Sequence, residues 1–296
     1  MATSQDVRQR PGKKTDESDA TWIAELLAPG LITPSFVPPP EIRALRDLTR
    51  TRVSLVQTRT QAKNRGYKIW DDTNITLASV GSAVFGKSAR RLLAALVAGE
   101  SDATKLSGMA LGSVRRKIPQ LEVALAGQCT AHHAPRMAGA LEWVDGLGRQ
   151  MGEMDQQRQG LLGPMAPQLA QLDSLPGVNA ITAHDMLAEL GLAMTRLGSA
   201  ERLAAWAGWW PGHNARAGKR RKGRTRRGHR YLRRVLGQWA WATRQTSTVL
   251  GRTVRRLEAR VGGKTAAVAV APKILVSIYH LLLEGTVYEE ARYDRL

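Results

Sequence analysis

The sequence predicts a mainly α-helical chain, and three observations carry that reading. Apolar residues recur at helical spacing through long stretches, helix start and stop residues bracket several of them, and strand-like alternation is sparse. Ile75 to Val80 is the best short strand candidate.

Taken in order, residues 1–20 are polar, and Asp16 to Leu27 reads as a helix. Thr15 stands as its N-cap, and Asp16, Glu17 and Asp19 fill the first turn, where the helix dipole favours negative charge. Pro29-Gly30 stops it, and Pro34 to Pro40 (PSFVPPP) reads as a stiff, extended connector. Glu41 to about Lys68 carries Ile42, Leu45, Leu48, Val53, Leu55 and Val56 among many arginines and lysines. Its heptad is imperfect, which favours an antiparallel helical hairpin over a long two-stranded coil. Further helices are expected over 87–99, 113–126 and 131–159. The stretch 160–172 then leads into a second globular unit at about 166–296. Ala266 to Leu283 is the most apolar stretch, but Pro272 and Lys273 divide it into runs too short to span a bilayer. A buried helix is expected there. No fixed-period repeat is visible.

The chain has 296 residues, 43% hydrophobic and 23% charged, which excludes a wholly disordered polymer. Its 44 Lys and Arg against 25 Asp and Glu give a net charge of +19. Self-repulsion on that scale points to polyanions as the working environment. The single cysteine, Cys129, excludes a disulfide framework and any multi-cysteine zinc site, and is read as a small buried apolar residue. The start, MATSQDVRQRPGKKTDESD, is polar, so no leader and a cytoplasmic location are expected. No membrane partner is expected, because no membrane helix adjoins the basic cluster.

That cluster is the strongest feature. Arg216, Lys219, Arg220, Arg221, Lys222, Arg224, Arg226, Arg227, Arg230, Arg233 and Arg234 lie in RAGKRRKGRTRRGHRYLRR, and no acid occurs between Glu201 and Glu258. Gly218, Gly223 and Gly228 recur at five-residue intervals, so the first part reads as loop, with backbone N–H groups able to approach an anion. From Tyr231 the pattern turns helical. Trp206, Trp209, Trp210, Trp239 and Trp241 flank the loop and are expected mostly in the core, clamping its ends. Two readings stand: a phosphate-backbone contact, or a solvated, nuclear-localisation-like charge run. His213 and His229, at the loop's margins, are candidates to touch phosphate.

Upstream, Leu175 to Ala183 (LPGVNAITA) resembles the turn of helix-hairpin-helix modules, with Gly177 and Asn179 at the positions that offer N–H groups to a phosphate. Asn179 replaces the usual second glycine and tolerates the left-handed conformation. An ordinary helix–helix turn is the alternative. Gly81 to Ser88 (GSAVFGKS) matches the P-loop pattern, with Lys87 and Ser88 in the phosphate and Mg²⁺ positions. Its bulky interior and the lack of an alternating βαβ pattern favour coincidence. His132-His133 are adjacent and cannot share a helix face as metal ligands.

Four blocks in order carry a resemblance to a family: PGKKTDESDATWIAELLAPGLITPSFVPPPEIRALRDLTRTRVSLVQ, DTNITLASVGSAVFGKSARRLLAALVAGE, LDSLPGVNAITAHDMLAELG and SAERLAAWAGWWPGHNARAGKRRKGRTRRGHRYLRRVLGQWAWA. They resemble transposases of insertion-sequence family 110, of the 116/902 type, over almost the whole chain. The resemblance implies a DNA recombinase with a RuvC-like α/β domain holding Mg²⁺ on four acids, a helical coiled-coil middle, and a C-terminal transposase domain that supplies a serine nucleophile. It also implies DNA and a structured bridge RNA as partners, a homo-oligomer or co-assembly with intact transposase, and a nucleoid location.

On that resemblance the chain divides into a C-terminal remnant of the RuvC-like domain (1–40), the helical middle (41–165) and the transposase domain (166–296). Asp16 and Asp19 match the last two acids of the quartet. The earlier two would precede residue 1, which implies an N-terminally truncated chain with an incomplete Mg²⁺ site. Asn214 to Lys219 (NARAGK) matches a family segment that usually reads Asn-Glu-Ser-Ala-Gly-Lys, so Arg216 stands in the serine's place. A guanidinium binds phosphate but forms no phosphoester. Thr225 is the only hydroxyl inside the basic loop. Gly66 and Trp70 replace leucine-like residues and are expected to loosen the helical middle. Two function classes follow: a transposase with impaired catalysis, or a non-catalytic nucleic-acid-binding fragment that interferes with intact copies.

Overall fold

A computed structural model describes residues 16–30, 37–80, 85–209, 215–216, 219–220 and 228–293; for 16–19, 78, 113, 215–216, 219–220 and 292–293 it describes the backbone alone. The chain is mainly α. In order it forms α1 (Asp16–Leu27), α2 (Pro40–Asp72), α3 (Leu77–Val80), α4 (Lys87–Val97), α5 (Ala103–Gly108), α6 (Ile118–Ala124) and α7 (His133–Leu162). Then come α8 (Ala166–Asp173), α9 (Ala180–Leu190), α10 (Ala200–Trp206), two paired two-residue strands β1 (Ala215–Arg216) and β2 (Lys219–Arg220), α11 (Arg230–Thr243), α12 (Val249–Val261), α13 (Gly263–Glu284) and α14 (Glu290–Tyr293). Thr15 and the first part of the Pro34–Pro40 connector, through Phe36, lie outside the described residues.

The long helices α2 and α7 form an antiparallel hairpin. Ile42 and Leu45 near the start of α2 share a core with Leu162 at the end of α7, and Arg136 near the start of α7 pairs with Asp72 at the end of α2. Pro40 opens α2 at a position where a missing N–H costs nothing. Three apolar clusters are strung along this hairpin. Ala62, Val144 and Leu147 fill its middle. At one end, residues 75–125 fold back as short helices around Trp70, Leu92, Leu93, Leu106, Leu121 and Met137. At the other, the first turns of α2 enter the core built by α8 to α13. One helix thus serves both globular ends.

The segment inserted between α2 and α7 closes on itself: Gln128 N–H donates to the Thr73 carbonyl at 3.0 Å, and Thr76 N–H to Ala124 O at 3.0 Å. A Cβ on Gly127 would run into the Thr73 carbonyl, so the two stretches of chain meet backbone to backbone.

Several expectations are corrected. Ile75 to Val80 forms no strand. Leu77 to Val80 is a helical turn, and Ile75, Leu77 and Val80 are all buried, so the apolar run serves a small core from one helical face. Pro272 does not divide the C-terminal apolar stretch: α13 is continuous across it and, by length and composition alone, would suffice to cross a membrane. The carbonyl that Pro272 leaves without its N–H partner belongs to Val268, on an exposed turn that water can reach. The opposite face, including Ala271, Ile274, Leu275 and Ile278, is fully buried in the domain core.

Gly66 and Trp70 do not loosen the middle. Trp70 is buried and packs with Tyr67 edge-on at 5.4 Å and with Phe85 at 4.8 Å. A Cβ at Gly66 would lie 3.0 Å from Phe85 Cζ, so the glycine makes room for the aromatic cluster. Cys129 is half-buried against that core, its Sγ 3.5 Å from Met137 Sδ, and burial raises its pKa. His132 and His133 stand at the start of α7, with Thr130 Oγ1 2.8 Å from His133 Nδ1.

Candidate nucleic-acid interface

The basic segment springs from a narrow neck. After α10 the chain turns at Gly208, whose φ of 77° suits glycine. A Cβ on Gly228 would collide with the Ala207 carbonyl and Gly208 Cα, so the two ends of residues 209–227 touch through their backbones. Gly228 therefore closes the neck. Side chains reinforce it: the Trp206 and His229 rings stack at 5.0 Å, and the Arg233 guanidinium lies 5.4 Å over the Trp209 ring. Within the segment, Ala215 pairs with Arg220 and Arg216 with Lys219, antiparallel. Arg221, Lys222, Arg224, Thr225, Arg226, Arg227, Trp210, His213 and Asn214 lie outside the described residues, as do the side chains of Arg216, Lys219 and Arg220.

The flanking tryptophans split instead of all entering the core. Trp209 and Trp239 are buried, whereas Trp206 and Trp241 are about half exposed. Trp239 anchors α11 to the turn before α9, its Nε1 donating to Pro176 O at 3.0 Å.

At the foot of the segment, His229 caps α11. Its Nδ1 accepts from Leu232 N–H at 3.3 Å, which leaves the proton of the neutral ring on Nε2. Nε2 lies 3.4 Å from Glu189 Oε2 and 3.2 Å from Arg50 Nη2. Glu189, buried on α9, accepts a two-pronged bond from Arg50, Nε to Oε1 at 2.9 Å and Nη2 to Oε2 at 2.8 Å. Arg46 donates to the Ala188 and Glu189 carbonyls at 3.0 Å each, placing a cation at the C-terminal end of α9 where the helix dipole welcomes it. Burial, and then the charges of Arg50 and Arg46, hold the His229 pKa below the usual imidazole value against the pull of Glu189. The His229 ring, a candidate to touch phosphate, joins α2, α9 and α11.

Along the same face of α9, one turn back, Asp185 lies 3.7 Å from Arg158 Nη1. Arg158 is buried and bonds Asp155 Oδ1 at 2.8 Å, which Arg52 also reaches at 2.7 Å. Burial pushes the Asp185 carboxyl up to about 6, despite Arg158, Arg234 and Arg52 nearby, and its Oδ1 makes no hydrogen bond. The neighbouring His184 is held down to about 4, by burial first and Arg158 second. The sequence offers one signal for this network: an acid pair at i and i+4 inside a largely apolar helix, AITAHDMLAEL. Such acids need partners, and α2 and α7 supply them.

The Gly177 turn is docked on α11. Its φ is 81°, and a Cβ there would sit 2.7 Å from Thr243 N; the Pro176 carbonyl accepts from Thr243 Oγ1 at 3.1 Å as well as from Trp239. Asn179 is not left-handed. It is extended (φ −124°, ψ 163°) and caps α9, its Oδ1 accepting from Thr182 N–H at 2.9 Å. Arg230, Arg233 and Arg234 all ride the first turns of α11, with Arg230 4.9 Å from the centre of the Tyr231 ring. The P-loop geometry is absent from the described part of Gly81–Ser88. A helical turn precedes it, Gly86 caps α4, Lys87 is exposed, and Ser88 Oγ accepts from Leu111 N–H at 2.9 Å.

Residues 169–254 match the family described as Transposase IS116/IS110/IS902, and residues 1–74 match a transposase domain of the IS110 type named for its DEDD acids. The two matches run in order and together cover more than half of the chain. No curated protein matches it. DEDD transposase domains generally use divalent metal ions. Asp16 and Asp19 fall in the first turn of α1, one turn apart, and their side chains lie outside the described ones.

Proposed function

The chain belongs to the IS116/IS110/IS902 family of transposases, and from that premise we propose that it grips DNA by the phosphate backbone, with structured RNA as a second ligand, and is impaired in strand cleavage. DNA is the partner that family membership implies. The observation that carries the reading is the stretch from Arg216 to Arg234, whose cations have no acid among them: eight precede Gly228, where the backbone meets that of Ala207 and Gly208, and Arg230, Arg233 and Arg234 follow on the first turns of α11. Eleven cations on one short segment repel one another unless a polyanion neutralises them.

Impaired cleavage rests on Arg216. It occupies the place of the family's serine, and no serine lies between Ser199 and Ser247. The guanidinium binds a phosphate without forming a covalent bond to it. That residue favours a second reading as well, a binding protein that competes with intact copies for their DNA. The two separate in one assay: strand cleavage with Mg²⁺ by the natural chain beside Arg216→Ser. Binding without a covalent protein–DNA adduct is expected of the natural chain. An adduct formed by the natural chain overturns the impairment. Duplex affinity independent of salt overturns the backbone grip.

A further inference from the structure

Trp206 ends α10 beside buried Leu203, Ala204 and Ala207, yet it is itself 47% exposed. We infer, on the basis of the phosphate grip proposed above, that its indole is a stacking platform for an unpaired base of a DNA strand held by the basic segment.

An exposed tryptophan standing by itself needs no explanation, but Trp206 belongs to a row of rings. The His229 ring stacks on it, with centroids 5.0 Å apart and planes at 30°, and Tyr231 follows His229 at 6.2 Å. Trp206 is the exposed end of that row. The rings behind it are held in place. His229 accepts from Leu232 N–H at 3.3 Å through one ring nitrogen, and its other lies 3.4 Å from Glu189 Oε2. The Arg50 guanidinium lies 4.5 Å from the centre of the Tyr231 ring. A ligand therefore meets a surface that is already ordered, which lowers the entropy lost on binding.

His229 covers one face of the indole, and with about half of the residue in solvent the other face is open. A nucleobase suits such a face because every base has a flat π-surface, whatever its sequence. Inside a duplex both faces of a base are covered by its neighbours, so an outward indole stacks only on a base that is unpaired. The surroundings favour a nucleotide over a protein partner. The other exposed residues of α10, Glu201, Arg202 and Ala205, add no apolar patch to the ring. Exposed Arg230 opens α11 directly after His229, and eight further cations lie between Arg216 and Arg227. Aromatic platforms beside cations that track a backbone are the means by which single strands are held.

The test is equilibrium binding of the full chain, over a range of salt, to a short single-stranded DNA, to the same strand built from base-free tetrahydrofuran nucleotides, to the matching RNA strand and to duplex DNA. The variants are Trp206→Ala, Trp206→Phe and the segment triple Arg220→Gln/Arg221→Gln/Lys222→Gln. Trp206→Ala is expected to weaken binding to the DNA strand about five- to a hundredfold. The slope of log affinity against log salt stays unchanged, because an indole releases no counterions. On the base-free strand the same variant is expected to bind as the natural chain does, and Trp206→Phe to recover most of the loss on DNA. Unchanged affinity for the DNA strand overturns the platform. So does an equal loss on the base-free strand, which marks a structural effect. An equal loss on the duplex overturns the choice of an unpaired base, and a loss confined to RNA overturns the choice of DNA. The segment triple lowers the slope by about 2 on single strands. If its slope is unchanged while Trp206→Ala still shows a base-dependent loss, the phosphate grip falls and the platform stands.

Discussion

Glu189 Oε2 lies 3.4 Å from His229 Nε2, so the last turn of α9 holds the residue that begins α11. The same carboxylate takes the forked bond of Arg50 from α2. Three segments far apart in sequence thus meet at one buried charge. Glu189→Ala leaves Arg50 facing a buried hole with its partner gone. Removing one member of a buried pair costs about 3–5 kcal/mol, and partial exposure of Arg50 brings the expectation down to about 2–3 kcal/mol. Urea unfolding measures it. A loss under about 1 kcal/mol would mean that the network is bridged by solvent.

The neck at Gly228 makes a sharper demand. Gly228→Ala drives a methyl group into the Ala207 carbonyl, and neither backbone can yield without opening the root of the basic segment. The expected result is a loss of about 2 kcal/mol or more together with weaker DNA binding. Gly237→Ala, where a Cβ meets nothing within 4 Å, is the matched control in α11. It is expected to be neutral or to stabilise by about 0.5–1 kcal/mol.

Asp185 and His184 set opposing pH dependences. The folded state raises Asp185 to about 6 from 3.8, so it binds an extra proton between those values, and that contribution to stability fades as pH rises through 6. The folded state lowers His184 to about 4 from 6.5, so the unfolded chain binds the extra proton, and that contribution fades as pH falls through 4. The two offset each other across pH 4–6. Asp185→Asn removes the first and leaves the second, so its melting temperature relative to the natural chain is expected to climb as pH rises from 4 to 7. His184→Gln is expected to show the opposite trend. Identical profiles for all three chains would contradict the assignment.

The aromatic cluster around Gly66 gives a prediction on packing. Gly66→Leu places a large side chain where even a Cβ lies 3.0 Å from Phe85, and overpacking of that kind costs about 1–3 kcal/mol. Trp70→Leu opens a void in the same core and is expected to destabilise by about 2 kcal/mol or more, the lower range for large-to-small core changes. Both are read by thermal or denaturant unfolding.

Much of the helical layout is legible from local signals. The acids at 16–19 and Pro29-Gly30 bracket α1, and the apolar spacing from Ile42 onward marks α2. What stays illegible depends on distant neighbours. Ile75 to Val80 looks like a strand because burial on one helical turn and burial on a pleat use the same apolar residues. Pro272 looks like a helix end because only the tertiary arrangement puts the affected carbonyl on an exposed turn. Gly177 and Gly228 are legible as turn and loop glycines, but the approach of another segment's backbone to each, too close for a side chain, is not. The family is legible in the motifs around the basic segment. The Glu189–Arg50–His229 junction is not, since Arg50 stands more than a hundred residues from both of its partners.

The clasp between Thr73 and Gln128 has a consequence for how this architecture varies. Because the intervening short helices leave and rejoin the long hairpin at neighbouring points, they behave as a cassette plugged into a socket. Such a cassette can be lengthened, shortened or exchanged while the register of the two supporting helices is kept, so the distance between the ends of the molecule is set by the hairpin and not by what it carries.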